Sequence, residues 1–285
     1  MDNLTLTMLG TGSPKPNLER SGPAQVIMIE DTPVLIDCGE GTVRQLMKAN
    51  INLAEINYLC FTHLHSDHIF GYEHFLLGGW SLGRRKLTVI GPKGTKRFHE
   101  KVLDMFEEDI SYRVQALGIP SDGLLNVNII ELADEGGHVL CDIPAKITTT
   151  PVVHNVKTFA FRFDVGLKSI VISGDTAPVD SLVELAKGAD VLVQDAAITD
   201  SSISKKTEDA NLKNIWEQLQ KEHCTPAQAA EIAKQAGVKQ LIMTHFLPNV
   251  NEKKVYQEAS AVFDGEVIVG KDLQQVSLGK FSPLS

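Results

Sequence analysis

Apolar positions along this chain fall into short runs, alternating or unbroken, that trade places with stretches of helical spacing nearly from end to end. Leu4-Thr5-Leu6-Thr7-Met8-Leu9 alternates at period two and breaks at Gly10-Thr11-Gly12-Ser13-Pro14, a strand entering a glycine loop. No Lys-Ser/Thr follows those glycines and no helical pattern opens there, which excludes a phosphate-binding P-loop. Gln25–Glu30 and Pro33–Ile36 predict a hairpin around Asp31-Thr32, and a helix is expected from Thr42 to Ala49. Asn57–Phe61 reads as a buried strand, Tyr72–Leu77 as a helix closed by Gly78-Gly79 with Trp80 in the loop beyond, Leu87–Ile90 as a strand and Thr95–Phe106 as a helix. Glu107–Asp122 is less regular. Further strands are expected at Asn126–Leu132, Lys146–Val153, Thr158–Phe163 and Ser169–Ser173. From there strand and helix alternate: helix Val179–Lys187, strand Asp190–Gln194, helix Glu208–Lys221, a helix capped by Thr225 and opened by Pro226 that ends near Gly237, strand Gln240–Thr244, helix Val255–Phe263 and a last strand through Val267–Val269.

The 285 residues contain no internal repeat, no low-complexity tract and no linker, so one α/β domain spanning 1–285 is the economical reading. A hydrophobic fraction of 43% and a mean hydropathy of −0.04 are those of a globular protein. No run reaches membrane-spanning length and Met1-Asp2-Asn3-Leu4 lacks the pattern of a signal peptide, so a cytoplasmic location is expected. The four cysteines, Cys38, Cys60, Cys141 and Cys224, are scattered among apolar segments and read as buried thiols. With 36 acidic against 27 basic residues the net charge is −9, which argues against a polyanionic partner. The two close basic clusters, Arg84-Arg85-Lys86 and Lys205-Lys206, read as solvated surface.

One stretch changes this picture. Thr62-His63-Leu64-His65-Ser66-Asp67-His68 places three imidazoles and a carboxylate within six residues, directly after a buried strand. On an extended segment residues two apart point the same way, so His63 and His65 can reach one metal while Asp67 and His68, past a bend, reach another. His154, Asp175 and His245 each stand just beyond a predicted strand, and strand ends at one edge of a layered α/β fold gather their loops into a common site. Asp37, also at a strand end, is a candidate helix cap or a hydrogen-bond acceptor for a ligand histidine. Imidazole and carboxylate donors suit zinc, and also manganese or iron; the absence of cysteine removes the case for a closed structural zinc site. Two such cations about 3.5 to 4 Å apart can share a hydroxide and brace an ester or phosphoryl oxygen, so hydrolysis is the reaction this set of donors serves.

The order His63-x-His65-x-Asp67-His68, His154, Asp175, His245 resembles the metal motifs of the metallo-β-lactamase superfamily. The likeness extends to Gly10-Thr11-Gly12, Asp37-Cys38-Gly39-Glu40-Gly41-Thr42 and Gly91-Pro92-Lys93-Gly94. Through His223-Cys224-Thr225 and Leu241-Ile242-Met243-Thr244-His245 it is nearest to the ribonuclease Z and arylsulfatase-like branch. The resemblance implies a four-layer αββα sandwich with a dinuclear centre at one edge. It implies that His63, His65 and His154 hold one divalent cation, that Asp67, His68 and His245 hold the other, and that Asp175 bridges. Asp67 can also orient the nucleophile or take its proton, and His223, if it reaches the site, can steady an oxyanion or protonate the leaving group.

Three departures from ribonuclease Z shape the expected substrate. Where that family has His-Glu-Ala-Thr, this chain has Gln194-Asp195-Ala196-Ala197. Only 21 positions separate His154 from Asp175, too few for the family's long tRNA-gripping arm, and the net charge is negative. The sequence therefore favours a dinuclear hydrolase of a small-molecule ester, such as a sulfate ester, phosphodiester, lactone or carboxylic ester, with nucleic acid and membrane disfavoured as partners. A ribonuclease Z-type phosphodiesterase acting on RNA, with a basic exosite lent by a partner subunit, and an iron-dependent redox enzyme are the alternatives. A homodimer is compatible with the apolar residues between Phe70 and Trp80. The pocket walls are expected from loops around Trp80, Ser111–Asp122 and Asp200–Asn211.

Overall fold

The computed structural model describes residues 4–199 and 209–278. Lys205-Lys206 and most of the loop at Asp200–Asn211 therefore lie outside the described residues. The first half forms strands β1 (Leu4–Gly10), β2 (Ala24–Ile29) and β3 (Thr32–Ile36), helix α1 (Thr42–Lys48), β4 (Tyr58–Cys60), the short α2 (Ser66–Ile69), α3 (Tyr72–Ser81), β5 (Thr88–Gly91), α4 (Thr95–Met105), α5 (Glu107–Ser111) and β6 (Asn128–Glu131). The second half forms β7 (Gly137–Val139), β8 (Lys146–Pro151), β9 (Phe159–Val165), β10 (Lys168–Ile172), α6 (Asp180–Ala186), β11 (Val191–Asp195), α7 (Ala210–Leu219), α8 (Pro226–Ala236), β12 (Gln240–Thr244), α9 (Glu252–Ser260), β13 (Glu266–Val269) and β14 (Gln274–Ser277).

Two seven-stranded mixed sheets result, in the orders β14-β1-β2-β3-β4-β5-β6 and β13-β12-β11-β10-β9-β8-β7. Successive side chains of a strand point to opposite faces, and the buried residues divide accordingly. Leu4, Leu6 and Met8 of β1, with Phe159, Phe161 and Phe163 of β9 and Ile170 and Ile172 of β10, meet in a core between the two sheets. The odd residues out face helices: Leu9, Val26 and Leu35 pack with Leu46, Phe75 and Trp80, while Val171, Leu192, Leu241 and Met243 pack with Leu182, Ile232 and Val255. Three apolar interfaces separate four layers, which is the αββα sandwich. The C-terminal ends of β3, β4, β10, β11 and β12 lie at one edge of this stack, because each runs parallel to its neighbour in that series within its sheet.

Some elements differ from expectation. Helix α3 runs through Gly78 and Gly79, and Trp80 is buried within it, donating from Nε1 to Pro120 O at 2.8 Å. Trp80 thus fills core and walls no substrate pocket. The glycine is used for packing: a Cβ on Gly79 would lie 2.4 Å from Arg84 Nη1. Arg84 is 1% exposed, sits over the Phe75 ring and donates to Leu76 O, so it is core rather than the solvated surface its cluster suggested. Strand β14 closes the first sheet beside β1, a pairing of distant segments. Cys38, Cys60 and Cys224 are buried and Cys141 is half-buried, all as free thiols.

Candidate metal centre

Each of the seven candidate ligands sits where a strand stops. β4 delivers His63 and His65 on extended chain, then α2 turns Asp67 and His68 inward; β8 leads to His154, β10 to Asp175 and β12 to His245. The loop after β3 packs directly under this first segment. Cys38 N–H donates to His68 O and Gly71 N–H to Cys38 O, at 2.8 and 2.7 Å, and a Cβ on Gly71 would lie 2.3 Å from Gly39 O. Only glycine permits that approach. His245 and Asp37 hold left-handed backbone at φ 66° and φ 54°, a conformation that costs a non-glycine residue on the order of 1 to 2 kcal/mol.

The side chains converge in two groups: His63, His65, His154 and Asp175 have ligand atoms within 4.8 Å of one another, as do Asp67, His68 and His245. Asp175 lies between them. Its Oδ1 is 3.3 Å from His68 Nε2, and its Oδ2 is 3.7 Å from His63 Nε2, 3.9 Å from His154 Nε2 and 3.1 Å from His245 Nε2. Asp67 Oδ2 is 3.1 Å from His245 Nε2 and 3.6 Å from His68 Nε2.

In His63, His68 and His154 the Nδ1 side of the ring is committed outside the centre, whereas His245 Nδ1 is buried with no hydrogen-bond partner. His68 Nδ1–H donates to Asp37 Oδ2 at 2.7 Å. His63 Nδ1–H donates to Thr62 Oγ1 at 3.0 Å, and Thr62 passes its own hydroxyl hydrogen to Asp37 Oδ2 at 2.8 Å while its N–H donates to Asp37 Oδ1. His154 Nδ1–H donates to Glu222 O at 3.1 Å. These partners fix the tautomers of His63, His68 and His154, leaving Nε2 of those three rings as a lone pair aimed at the centre. His63 Nε2 and His68 Nε2 are buried with no hydrogen-bond partner, and the His154 Nε2 lone pair lies 3.1 Å from His65 Nδ1. Buried lone pairs facing one another and two carboxylates are costly unless a cation lies among them, so the donor set fits divalent metal.

The electrostatics divide the rings between those that burial keeps neutral and those that the carboxylates favour charged. Burial pushes the His63 ring well below the usual imidazole range, and burial likewise lowers His65 and His154. Burial also opposes charge on His68, but Asp175, Asp37 and Asp67 around it outweigh that and raise it well above its ordinary value. Against burial, His245 and His68 hold Asp175 well below the usual carboxylate range.

His223, at the entry to α8, also reaches the site: its ring centroid is 5.1 Å from that of His154 and 5.3 Å from that of His245. Its Nδ1–H donates to Asp195 Oδ2 at 2.7 Å. Burial disfavours the charged ring, but Asp195 outweighs it and the pKa is raised to about 9. Asp195, absent from the candidate residues of the sequence, stands beside the centre; it ends β11 as the other candidates end their strands, and that position is the signal that points to it. Asp195 Oδ1 accepts from Ala197 N–H and Oδ2 from Thr176 N–H, so the aspartate is held firmly.

Residues 32–246 match the model of the Beta-lactamase superfamily domain. The chain belongs to the metallo-β-lactamase superfamily, a class of metal-binding hydrolases. Within it the ribonuclease Z branch is the nearer home: a protein named Ribonuclease Z from Mycobacterium bovis (strain BCG / Pasteur 1173P2) is 32% identical over 285 residues, covering 96% of this chain and 98% of the relative. Among solved structures, human tRNase Z, short form, superposes with a TM-score of 0.72 at 26% identity, covering 97% of this chain and all of that one. The metallo-β-lactamase fold protein YhfI from Bacillus subtilis superposes at 0.77 with 19% identity, covering 97% and 100%, a likeness of fold.

These relatives overturn the expectation of a small-molecule ester as substrate with nucleic acid disfavoured. Each departure that motivated it has a physical answer. An alignment of 285 positions that uses 96% of this chain leaves the mycobacterial relative no long segment that this chain lacks, so a missing arm does not separate them. Asp195, one methylene shorter than Glu, still reaches His223. The net charge of −9 is a sum over the whole chain and does not describe any one groove. Among the described residues no helix is long and apolar enough to cross a membrane.

Proposed function

We propose that this protein is a metal-dependent RNA phosphodiesterase of the ribonuclease Z type, with tRNA precursors the first substrates to try. The observation that carries the reading is the pairing of a seven-donor centre with the Asp195–His223 couple beside it. His63, His65 and His154 would hold one divalent cation and Asp67, His68 and His245 the other, with Asp175, which lies against histidines of both groups, shared between them. Zinc suits these donors best. Two divalent cations, when bound, supply an acidified water and the positive charge that braces phosphoryl oxygens.

The chain's own residues do the rest. Asp67 Oδ2 stands among the donors, where it orients the attacking water and takes its proton. His223, kept protonated by Asp195, delivers a proton from Nε2 to the departing oxygen, and the buried Asp195 carboxylate steadies the cationic ring beforehand. Asp37 holds the tautomers of His68 directly and of His63 through Thr62. An RNA substrate also suits the cytoplasmic location expected from the sequence.

The test is a substrate panel run with and without chelator: a precursor tRNA with a 3′ extension, a single-stranded oligoribonucleotide, bis(p-nitrophenyl) phosphate and an aryl sulfate. Chelator-sensitive cutting of RNA is expected. Turnover of the aryl sulfate with no RNA cleavage would overturn the proposal.

A further inference from the structure

A groove of about 670 Å³ has Asp67, one of the seven candidate ligands, in its lining. One wall is the loop from Ser13 to Gly22, and the other is α1 and the residue after α2, Phe70. The groove is built on a buried polar network. Asp272 accepts from Thr11 N–H, Thr11 Oγ1–H, Ser21 N–H and Gln45 Nε2, at 3.0, 2.8, 2.7 and 2.9 Å. Buried Arg20 donates to Thr11 Oγ1, Gly270 O and Glu252 Oε1 and lies over the Phe246 ring. These charges are satisfied within the protein, and they fix the loop wall in place.

The charges left facing the groove differ in kind. Lys15, Arg44 and Lys48 line it without an ion pair among the described residues, and the carboxylates Glu19, Glu40 and Asp67 line it with them. The groove is therefore balanced in charge, in a chain whose total is −9, and two of these three cations share one helix. Arg44 and Lys48 are four residues apart on α1, so their Cβ atoms lie about 6 Å apart on one helix face. Phe70, 61% exposed, stands two residues beyond His68 and lines the same groove. An exposed aromatic beside paired cations is the arrangement that holds single-stranded nucleic acid, rings stacking bases and cations following phosphates.

Resting on the function proposed above, we infer that this groove is the track for the RNA strand on Asp67's side of the scissile phosphate. Arg44 and Lys48 meet neighbouring phosphates and Phe70 stacks a base. The strand is single, since a duplex would hide the base faces that Phe70 needs.

The experiment compares wild type with the Arg44→Glu/Lys48→Glu double variant and with Phe70→Ala. Binding of a fluorescein-labelled, phosphorothioate-linked oligoribonucleotide to the metal-loaded protein is followed by anisotropy across a salt series, and cleavage of the corresponding unmodified RNA is compared with that of bis(p-nitrophenyl) phosphate. Expected are RNA binding weakened on the order of tenfold or more in each variant, and a slope of log K against log salt reduced by about 1.4 in the double variant, two contacts at ~0.7 each. The ratio of kcat/KM for RNA to that for the small diester should fall in step, through KM. If wild type cuts RNA and both variants bind and cut it equally well, the groove assignment fails while the function stands. An equal fall on both substrates also overturns it, because the damage is then to the centre. If wild type neither binds nor cuts RNA, the function itself fails and this inference with it.

Discussion

Replacing Asp195 by Asn removes the charge beneath His223 and keeps the outline of the side chain. Both carboxylate oxygens accept: Oδ2 from His223 Nδ1–H at 2.7 Å and Thr176 N–H at 3.1 Å, Oδ1 from Ala197 N–H at 2.9 Å. The amide nitrogen of Asn must face a donor. Turned toward Ala197, it forfeits that bond and leaves the His223 contact in place, so the variant tests charge more than geometry. Without the carboxylate, burial brings the ring down from about 9 toward its ordinary 6.5, against the smaller pull of Asp175 and Glu222. The fall is at most about 2.5 pH units, or roughly 3 kcal/mol. His223 serves as an acid only while protonated, so its contribution is present below its pKa and lost as pH rises through it. Cations in the centre lower the ring in both proteins alike, and the separation between them survives. The alkaline limb of the pH profile for RNA cleavage should therefore move toward acid by up to about 2.5 pH units. The activity deficit should grow from less than about twofold well below both limbs to the order of a hundredfold above both. Stopped assays from pH 5.5 to 10 measure this directly, with bis(p-nitrophenyl) phosphate as a substrate whose leaving group needs little protonation. A deficit of the same size at every pH would refute the reasoning and make Asp195 a structural residue.

Three further outcomes follow from the geometry. Asp175→Ala should abolish cleavage and lower bound metal from two per chain to one or fewer, read by elemental mass spectrometry; two retained metals would remove Asp175 from the bridging position. Asp37→Asn should weaken metal affinity about 10- to 100-fold, as losing a partner that orients ligands does, measured by competition with a chromogenic chelator; unchanged affinity would mean that the tautomers are set without it. Gly71→Ala, whose Cβ would lie 2.3 Å from Gly39 O, should destabilise the fold by about 2 kcal/mol and disturb the centre, since neither backbone can yield without moving His68; denaturant unfolding together with metal content checks both.

Most of the second sheet could be read from residue pattern, because β10, β11 and β12 are buried on both faces and declare themselves as β-branched or aliphatic runs. Thr225 and Pro226 announced α8, and the structure adds the Gln228 half of a capping box. What escaped was non-local. β7 has three mostly exposed residues, and β14, Gln274-Gln275-Val276-Ser277, is too polar to read as a strand; it exists because β1 offers an edge to pair with. Gly78-Gly79 looks like a helix end, yet α3 continues because Arg84 occupies the space a side chain would need. The ligand histidines were legible from their place at strand ends. The roles of Thr62 and Glu222 were not, since each acts through a hydroxyl or a carbonyl whose partner is known only when the chain is folded.

The hydrogen bonds also indicate why the loop after β3 matters to both halves of the centre. Asp37 touches, directly or through Thr62, one histidine of each ligand group, and it does so from a left-handed backbone held by Asp37 N–H to Cys60 O at 2.8 Å. Asp175 joins the two groups from the second sheet, and Asp37 joins them from the first. The centre is therefore clamped from both sheets, and the core between them, which includes Ile27 and Ile36 of the first sheet and Phe161 and Phe163 of the second, sets the spacing of the clamp. Because the lone pairs and carboxylates gathered there repel one another without a cation, free energy gained on binding metal is also free energy of holding the two sheets in register.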